Sequence, residues 1–219
     1  LANVASALTT SANDRITRRV YDNAGRQVYT VDALGYVKET QYDAGGRIQA
    51  TVQYATALTP ADRTLAQMQT ALAGITNNAL DQKNSFTYDK AGRLIASVDA
   101  EGYDEAYGYD AVGNKISFKN KKDSVWTYQY DKANRLTREI SPQVEVTRLT
   151  QNANGTVTPV TTTESIITVI TYDAVGNVLS RTEAFHDAGY QLPPGAAPET
   201  RTTSYQYDAL NHQIKTIFP

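Results

Sequence analysis

The chain has no cysteine, and its 219 residues include only two histidines, one tryptophan and one methionine. Without cysteine there is no disulfide and no thiol nucleophile, although that absence fits any compartment. His186 and His212 offer no ligand spacing for zinc, and neither accompanies a nucleophile-elbow pattern that would make a serine triad. Apart from Gly45-Gly46 the glycines fall singly, and no phosphate-binding loop is present. Basic and acidic residues nearly balance, 21 against 23, so there is no polybasic footprint for nucleic acid or anionic lipid. No apolar run approaches the ~18 residues of a membrane span, and Leu1 to Thr10 lacks the basic start of a signal peptide.

What the chain does have is tyrosine in register. Tyr88-Asp89, Tyr109-Asp110 and Tyr130-Asp131 recur with a period of 21 residues, as do Tyr21-Asp22 and Tyr42-Asp43. Tyr172-Asp173 lies two periods beyond Tyr130, with a degenerate copy at Gln151-Asn152 between them, and Tyr207-Asp208 follows an insertion. This reading counts eight copies. A fixed period of this size marks a repeat architecture and outranks any local motif.

Four residues after each tyrosine stands Gly25, Gly46, Gly92, Gly113, Asn134, Gly155, Gly176 or Asn211. Glycine alternating with asparagine points to a left-handed backbone, as in a type I turn closed by a G1 bulge. The aspartate after the tyrosine is placed to accept backbone N–H bonds and fix that turn. A second turn lies half-way round the unit, at Asp32 to Tyr36 and Asp99 to Tyr103. Each unit then comprises two strands of roughly seven residues, and the whole forms a mainly β meander of antiparallel hairpins, some sixteen strands in all. Open sheets of that size curl, so a strongly curved or spiralling sheet, a partial shell, is expected.

Rings two residues before the tyrosines, such as Phe86, Tyr107 and Tyr128, share a strand face with them and would stack from copy to copy. The alternative, ordinary core tyrosines of a sandwich, does not require a 21-residue period. Arg26, Arg47, Arg93 and Arg135 follow the turn residue and are expected to pair with a carboxylate of the adjoining copy; His212 takes that place in the last copy. A calcium site would need six to eight oxygens where each turn offers one carboxylate, so the aspartates are read as turn-fixing. Paired carboxylates for glycoside hydrolysis remain a lesser alternative. No catalytic, cofactor-binding or metal-binding residue is assigned.

Two insertions interrupt the period. In the first, within 55–80, a helix is expected near 60–73: Thr59 as N-cap, Pro60 at the first position and Asp62 completing a capping pattern. Leu65, Met68 and Leu72 line one face, and Gly74 stops it. The second, 184–200, holds three prolines and two glycines and reads as an exposed loop. The array 1–219 is taken as one continuous domain cut from a longer protein.

The pattern of Tyr88-Asp89-Lys90-Ala91-Gly92-Arg93-Leu94, with its half-way turn and 21-residue step, resembles the YD repeat of the RHS family. That family includes bacterial polymorphic toxins, the C components of insecticidal toxin complexes and animal teneurins. The resemblance implies a β-shell that encloses a polypeptide cargo such as a toxin domain, a non-enzymatic role, and a secreted or cell-surface location. Its implied partners are the remainder of the parent protein and its cargo. The other functional reading is a carbohydrate-binding or adhesion module using exposed rings such as Tyr103, Tyr107 or Trp126. Unpaired sheet edges would also favour edge-to-edge self-association.

Overall fold

The computed structural model describes residues 15–77, 79–184 and 200–219. The chain divides into two compact units, Leu1–Asp104 and Glu105–Pro219. Both are antiparallel meanders, and a single helix occurs among the described residues.

In the first unit β1 (Arg18–Tyr21), β2 (Gln27–Val31), β3 (Val37–Tyr42) and β4 (Ile48–Gln53) are followed by helix α1 (Leu65–Ala73). Strands β5 (Gln82–Tyr88) and β6 (Leu94–Val98) complete the run, and each strand pairs with the next. The helix closes the hydrophobic core of this unit's described residues. Val20, Tyr29, Val31, Val37, Val52 and Tyr54 are buried beneath Leu58, Met68 and Leu72. Tyr29 and Tyr54 direct their hydroxyls to the two oxygens of Glu39, at 3.3 and 2.7 Å. Burial, assisted by the Glu39 charge, pushes the Tyr29 phenol up to about 12.

The helix begins five residues later than the expected Thr59 cap. Thr64 is the N-cap, accepting from the Gln67 N–H while the Gln67 side chain accepts from the Thr64 N–H. This reciprocal pair satisfies two orphan donors, and Gly74 is the C-cap. Asp62 takes no part in a cap; it pairs with Arg18 at 2.8 Å. The helix is therefore nine residues long, not fourteen.

In the second unit β7 (Asp104–Tyr109, from Glu105 on), β8 (Lys115–Lys119), β9 (Val125–Tyr130) and β10 (Leu136–Gln151) precede β11 (Val157–Tyr172). β12 (Val178–Ala184), β13 (Thr200–Tyr207) and β14 (Gln213–Ile217) complete it. β10 and β11 are sixteen residues each, over twice the expected length. Among the described residues β9 pairs with β10 as far as Ile140, and β12 with β11 from Ile167 onward. Beyond those points β10 and β11 pair with each other, a two-stranded arm that exposes Leu149, Val157 and Val160. At its base Ser141 and Pro142 bulge opposite Ile166, and the Ser141 hydroxyl accepts the Ile166 N–H. Fourteen strands, rather than sixteen, account for the described residues. The proposed 184–200 loop lies almost wholly outside them.

Candidate functional site

The recurring site is the turn that follows each Tyr-Asp pair. In every one the aspartate N–H donates to the carbonyl four residues on, and the residue three on donates back to the aspartate carbonyl. The aspartate Oδ1 also accepts the N–H groups two and four residues ahead, as at Asp89 from Ala91 and Arg93, both 2.9 Å. The turn residue has a positive φ throughout: 76° at Gly25, 81° at Gly46, 84° at Gly92 and 105° at Gly113. It is 61° at Asn134, 103° at Gly176 and 64° at Asn211.

One residue inward from each of these turns the register slips, between Val20 and Tyr21, Gln41 and Tyr42, Thr87 and Tyr88, and likewise at the other four. Such a bulge leaves one residue of the return strand unpaired and disturbs the ladder beside it. The tyrosine of the following copy repairs that spot. Tyr42 donates its hydroxyl to the carbonyl of Gln27 at 3.0 Å, and Tyr88 to that of Ile48 at 2.9 Å. In the second unit Tyr130 donates to Lys115, Tyr172 to Leu136 and Tyr207 to Val178, at 2.8 to 3.0 Å. Tyr21, with no earlier copy among the described residues, is 51% exposed; the other tyrosines of the row are half-buried.

The arginines do not form the expected ladder of carboxylates between copies. Each folds back on the aspartate of its own turn: Arg26 on Asp22, Arg47 on Asp43, Arg93 on Asp89 and Arg135 on Asp131, at 2.6 to 2.8 Å. With the two residues i and i+4 across a five-residue turn, the guanidinium reaches its own Oδ2 first. What extends to the next copy is the rest of the fork. Arg47 donates to the carbonyl of Asp89 at 3.2 Å and Arg135 to that of Asp173 at 3.1 Å. The guanidinium planes lie over the next tyrosine, 4.6 Å from the Tyr42 centroid, 4.9 Å from Tyr88 and 4.6 Å from Tyr172. Each such contact contributes roughly 0.5–2 kcal/mol. Tyrosine thus alternates with arginine along these copies. Ring-on-ring stacking runs instead through Tyr107, Phe118 and Trp126, with centroids 5.3 and 5.6 Å apart.

The supposed copy at Gln151-Asn152 is not one. Its turn is at the tip of the β10–β11 arm, opposite to the Tyr-Asp edge, and the pairing from Gln151 to Val157 has no adjacent slip. Tyr172 contacts the copy of Tyr130 directly, through Leu136 and Arg135. The 42 residues between them are one enlarged unit, and Asn152 to Thr156 is its half-way turn. A further half-way turn at Asn120 to Ser124 escaped the sequence reading. It has the same hydrogen bonds, and Asp123 stands at φ 60° where glycine stands elsewhere. Its signal was the asparagine, which accepts from Lys122 and Ser124 as the aspartates do.

Chemically the turn aspartates are spoken for. The N–H of the residue four on holds Asp22, Asp43, Asp89, Asp131 and Asp208 below the ordinary carboxylate range, against the opposing pull of burial. At Asp110 and Asp173 burial pushes upward most, and is outweighed by bonds from the asparagine side chain and the backbone. An acid held ionised by its own turn is poorly placed to deliver a proton. His212 Nδ1 lies 3.1 Å from Asp208 Oδ2, with its side chain largely exposed; His186 lies outside the described residues. No group of three or more metal-ligating side chains occurs among the described residues, and no helix there is long and apolar enough to cross a membrane.

Comparison with known proteins gives the stretch a name. No curated protein sequence matches the chain. Among solved structures, a TcdB2–TccC3–Cdc42 complex aligns over 96% of this chain and 13% of its own, at 15% identity and a TM-score of 0.31. The Tc holotoxin pore of Photorhabdus luminescens aligns over 95% and 13%, at 14% identity and 0.30. The chain spans about an eighth of the length of those chains. The family model of the RHS repeat matches residues 88–117, covering β5 from Tyr88 to the middle of β8. That match falls on turns whose geometry is described above, so this stretch of the chain is similar to the RHS repeat.

Proposed function

We propose that the chain is a segment of a secreted or surface-displayed RHS-repeat wall, a curved scaffold without catalysis of its own that encloses or displays a polypeptide cargo encoded with it. The observation that carries this reading is the lateral bonding of one Tyr-Asp turn to the next. Tyrosine hydroxyl and arginine fork are spent on holding hairpins side by side, and the aspartate carboxylate on closing its own turn. A wall needs such continuity, and a catalytic centre would leave polar groups convergent on a substrate. A concavity of about 510 Å³ beside the Ser141–Pro142 bulge has Asp123 as its acid, and that acid is exposed and ion-paired with Lys119 at 3.0 Å.

The test is protease protection in the full-length parent protein. A downstream polypeptide resists cleavage there, and loses resistance when Tyr88 and Tyr172 are both changed to phenylalanine. Cleavage as fast in the parent as in the isolated polypeptide would sink the proposal. Sugar stacking is the weaker alternative, because Tyr107, Phe118 and Trp126 turn their faces on one another. A glycan array comparing the wild type with Trp126→Ala addresses it. Self-association through strand edges is checked by sedimentation at high concentration.

A further inference from the structure

The residue after the left-handed position is arginine in some copies and asparagine in others, and the choice tracks a residue in the next copy. Arg26 is followed by Gly46, Arg47 by Gly92 and Arg135 by Gly176; Asn114 is followed by Asn134 and Asn177 by Asn211. Arg93 and Gly113 keep the rule in sequence. We propose that these two positions form a matched pair, so that the forward side of each turn accepts only a Tyr-Asp hairpin whose left-handed residue fits it.

Two geometries underlie the match. Where arginine leads, its guanidinium crosses to the next tyrosine and passes the left-handed residue. A Cβ built on Gly46 or Gly92 would stand 3.6 Å from the guanidinium nitrogen, and one on Gly176 4.0 Å. The Cβ alone is tolerable, but an amide group beyond it competes for the place of the fork. Where asparagine leads, the side chain is too short to cover the ring. Its Nδ2 instead donates twice: Asn114 to Asp110 Oδ2 at 2.9 Å and to Asn134 Oδ1 at 3.0 Å. Asn177 does the same with Asp173 at 2.8 Å and Asn211 at 2.9 Å. Glycine in the following copy would remove the second acceptor. Asparagine at the left-handed position is thus selected by its neighbour as well as by its backbone tolerance.

The pairing is tested by a double-variant cycle in the whole chain. Asn114→Arg and Asn134→Gly are each expected to lower the melting temperature by about 2–4 °C. The combination, which recreates the Arg–Gly pair, is expected to return to within about 1 °C of wild type. The reciprocal cycle, Arg135→Asn with Gly176→Asn, should show coupling of the same sign. A merely local role for each residue makes the shifts additive. If the shift of the double variant equals the sum of the two single shifts in both cycles, the proposal is overturned.

Discussion

At the edge that carries Asp22, Asp43 and Asp89 in the first unit, and at the edge that carries Asp110, Asp131, Asp173 and Asp208 in the second, every turn has the same five-residue form, with one bulge beside it. At the other edge of each unit the connections vary widely. Asp32 to Tyr36 and Asp99 to Tyr103 are bare turns, while between β4 and β5 the chain inserts a helix. β10 and β11 run on as an arm, and the chain leaves β12 at Ala184 to re-enter at Thr200. The difference follows from where the links between copies lie. The row tyrosines and the turn arginines bridge copies at the Tyr-Asp edge, so a change of length there breaks contacts with two neighbours. The half-way edge of each unit is where the repeat absorbs new sequence.

The sharpest exception is Gly35, a half-way residue pinned by the insertion itself. Leu58 donates its N–H to the Gly35 carbonyl, and a Cβ on Gly35 would collide with the Leu58 carbonyl oxygen. Gly35→Ala is therefore expected to cost about 3–5 kcal/mol through clash plus left-handed strain. Gly25→Ala, at φ 76° with open space around it, costs about 1–2 kcal/mol. Chemical denaturation of the two variants measures the gap, and equal losses would remove the role given to the insertion.

The next largest contrast concerns length. Two residues inserted between Asp173 and Gly176 should cost about 2–3 kcal/mol, from the loss of the Arg135 and Tyr172 links. The same insertion between Asn152 and Gly155 should cost about 0.5 kcal/mol or less, as for a surface loop. Equal thermal shifts would contradict the division between edges.

Acid should loosen the Tyr-Asp edge selectively. The N–H of the residue four on holds its aspartates below the ordinary carboxylate range in the folded chain. Their contribution is complete above the unfolded value and is lost as pH falls through the lower folded values. Stability should be flat near neutrality and decline below about pH 4, and Asp131→Asn should blunt that decline in a pH series of melts. The smallest contrast is between two hydroxyls. Tyr172→Phe removes a bond to the Leu136 carbonyl and should cost about 1 kcal/mol, whereas Tyr21→Phe should cost about zero.

The Tyr-Asp turns were legible in the sequence because their chemistry is local: aspartate, two residues, then glycine or asparagine is enough to close each one. The mainly β meander followed from their regular return. Partner choice was not legible. Nothing in the spacing of Arg47 says that its fork divides between Asp43 and the carbonyl of Asp89. Asn152 looked like a Tyr-Asp copy because it falls on the 21-residue period, but strands that alternate in direction put it at the far edge. The helix start was misplaced because Thr59 and Thr64 both head plausible caps, and only Gln67 can reach back to close one.

The tyrosine bonds point in one direction. Each hydroxyl finds a carbonyl that lies between 15 and 40 residues earlier in the chain, and none of those links waits on a later segment. During synthesis, which releases the N-terminal end first, every hairpin that leaves the ribosome meets an acceptor already in place. The array can zip up behind the growing chain, with a short conformational search for each new hairpin.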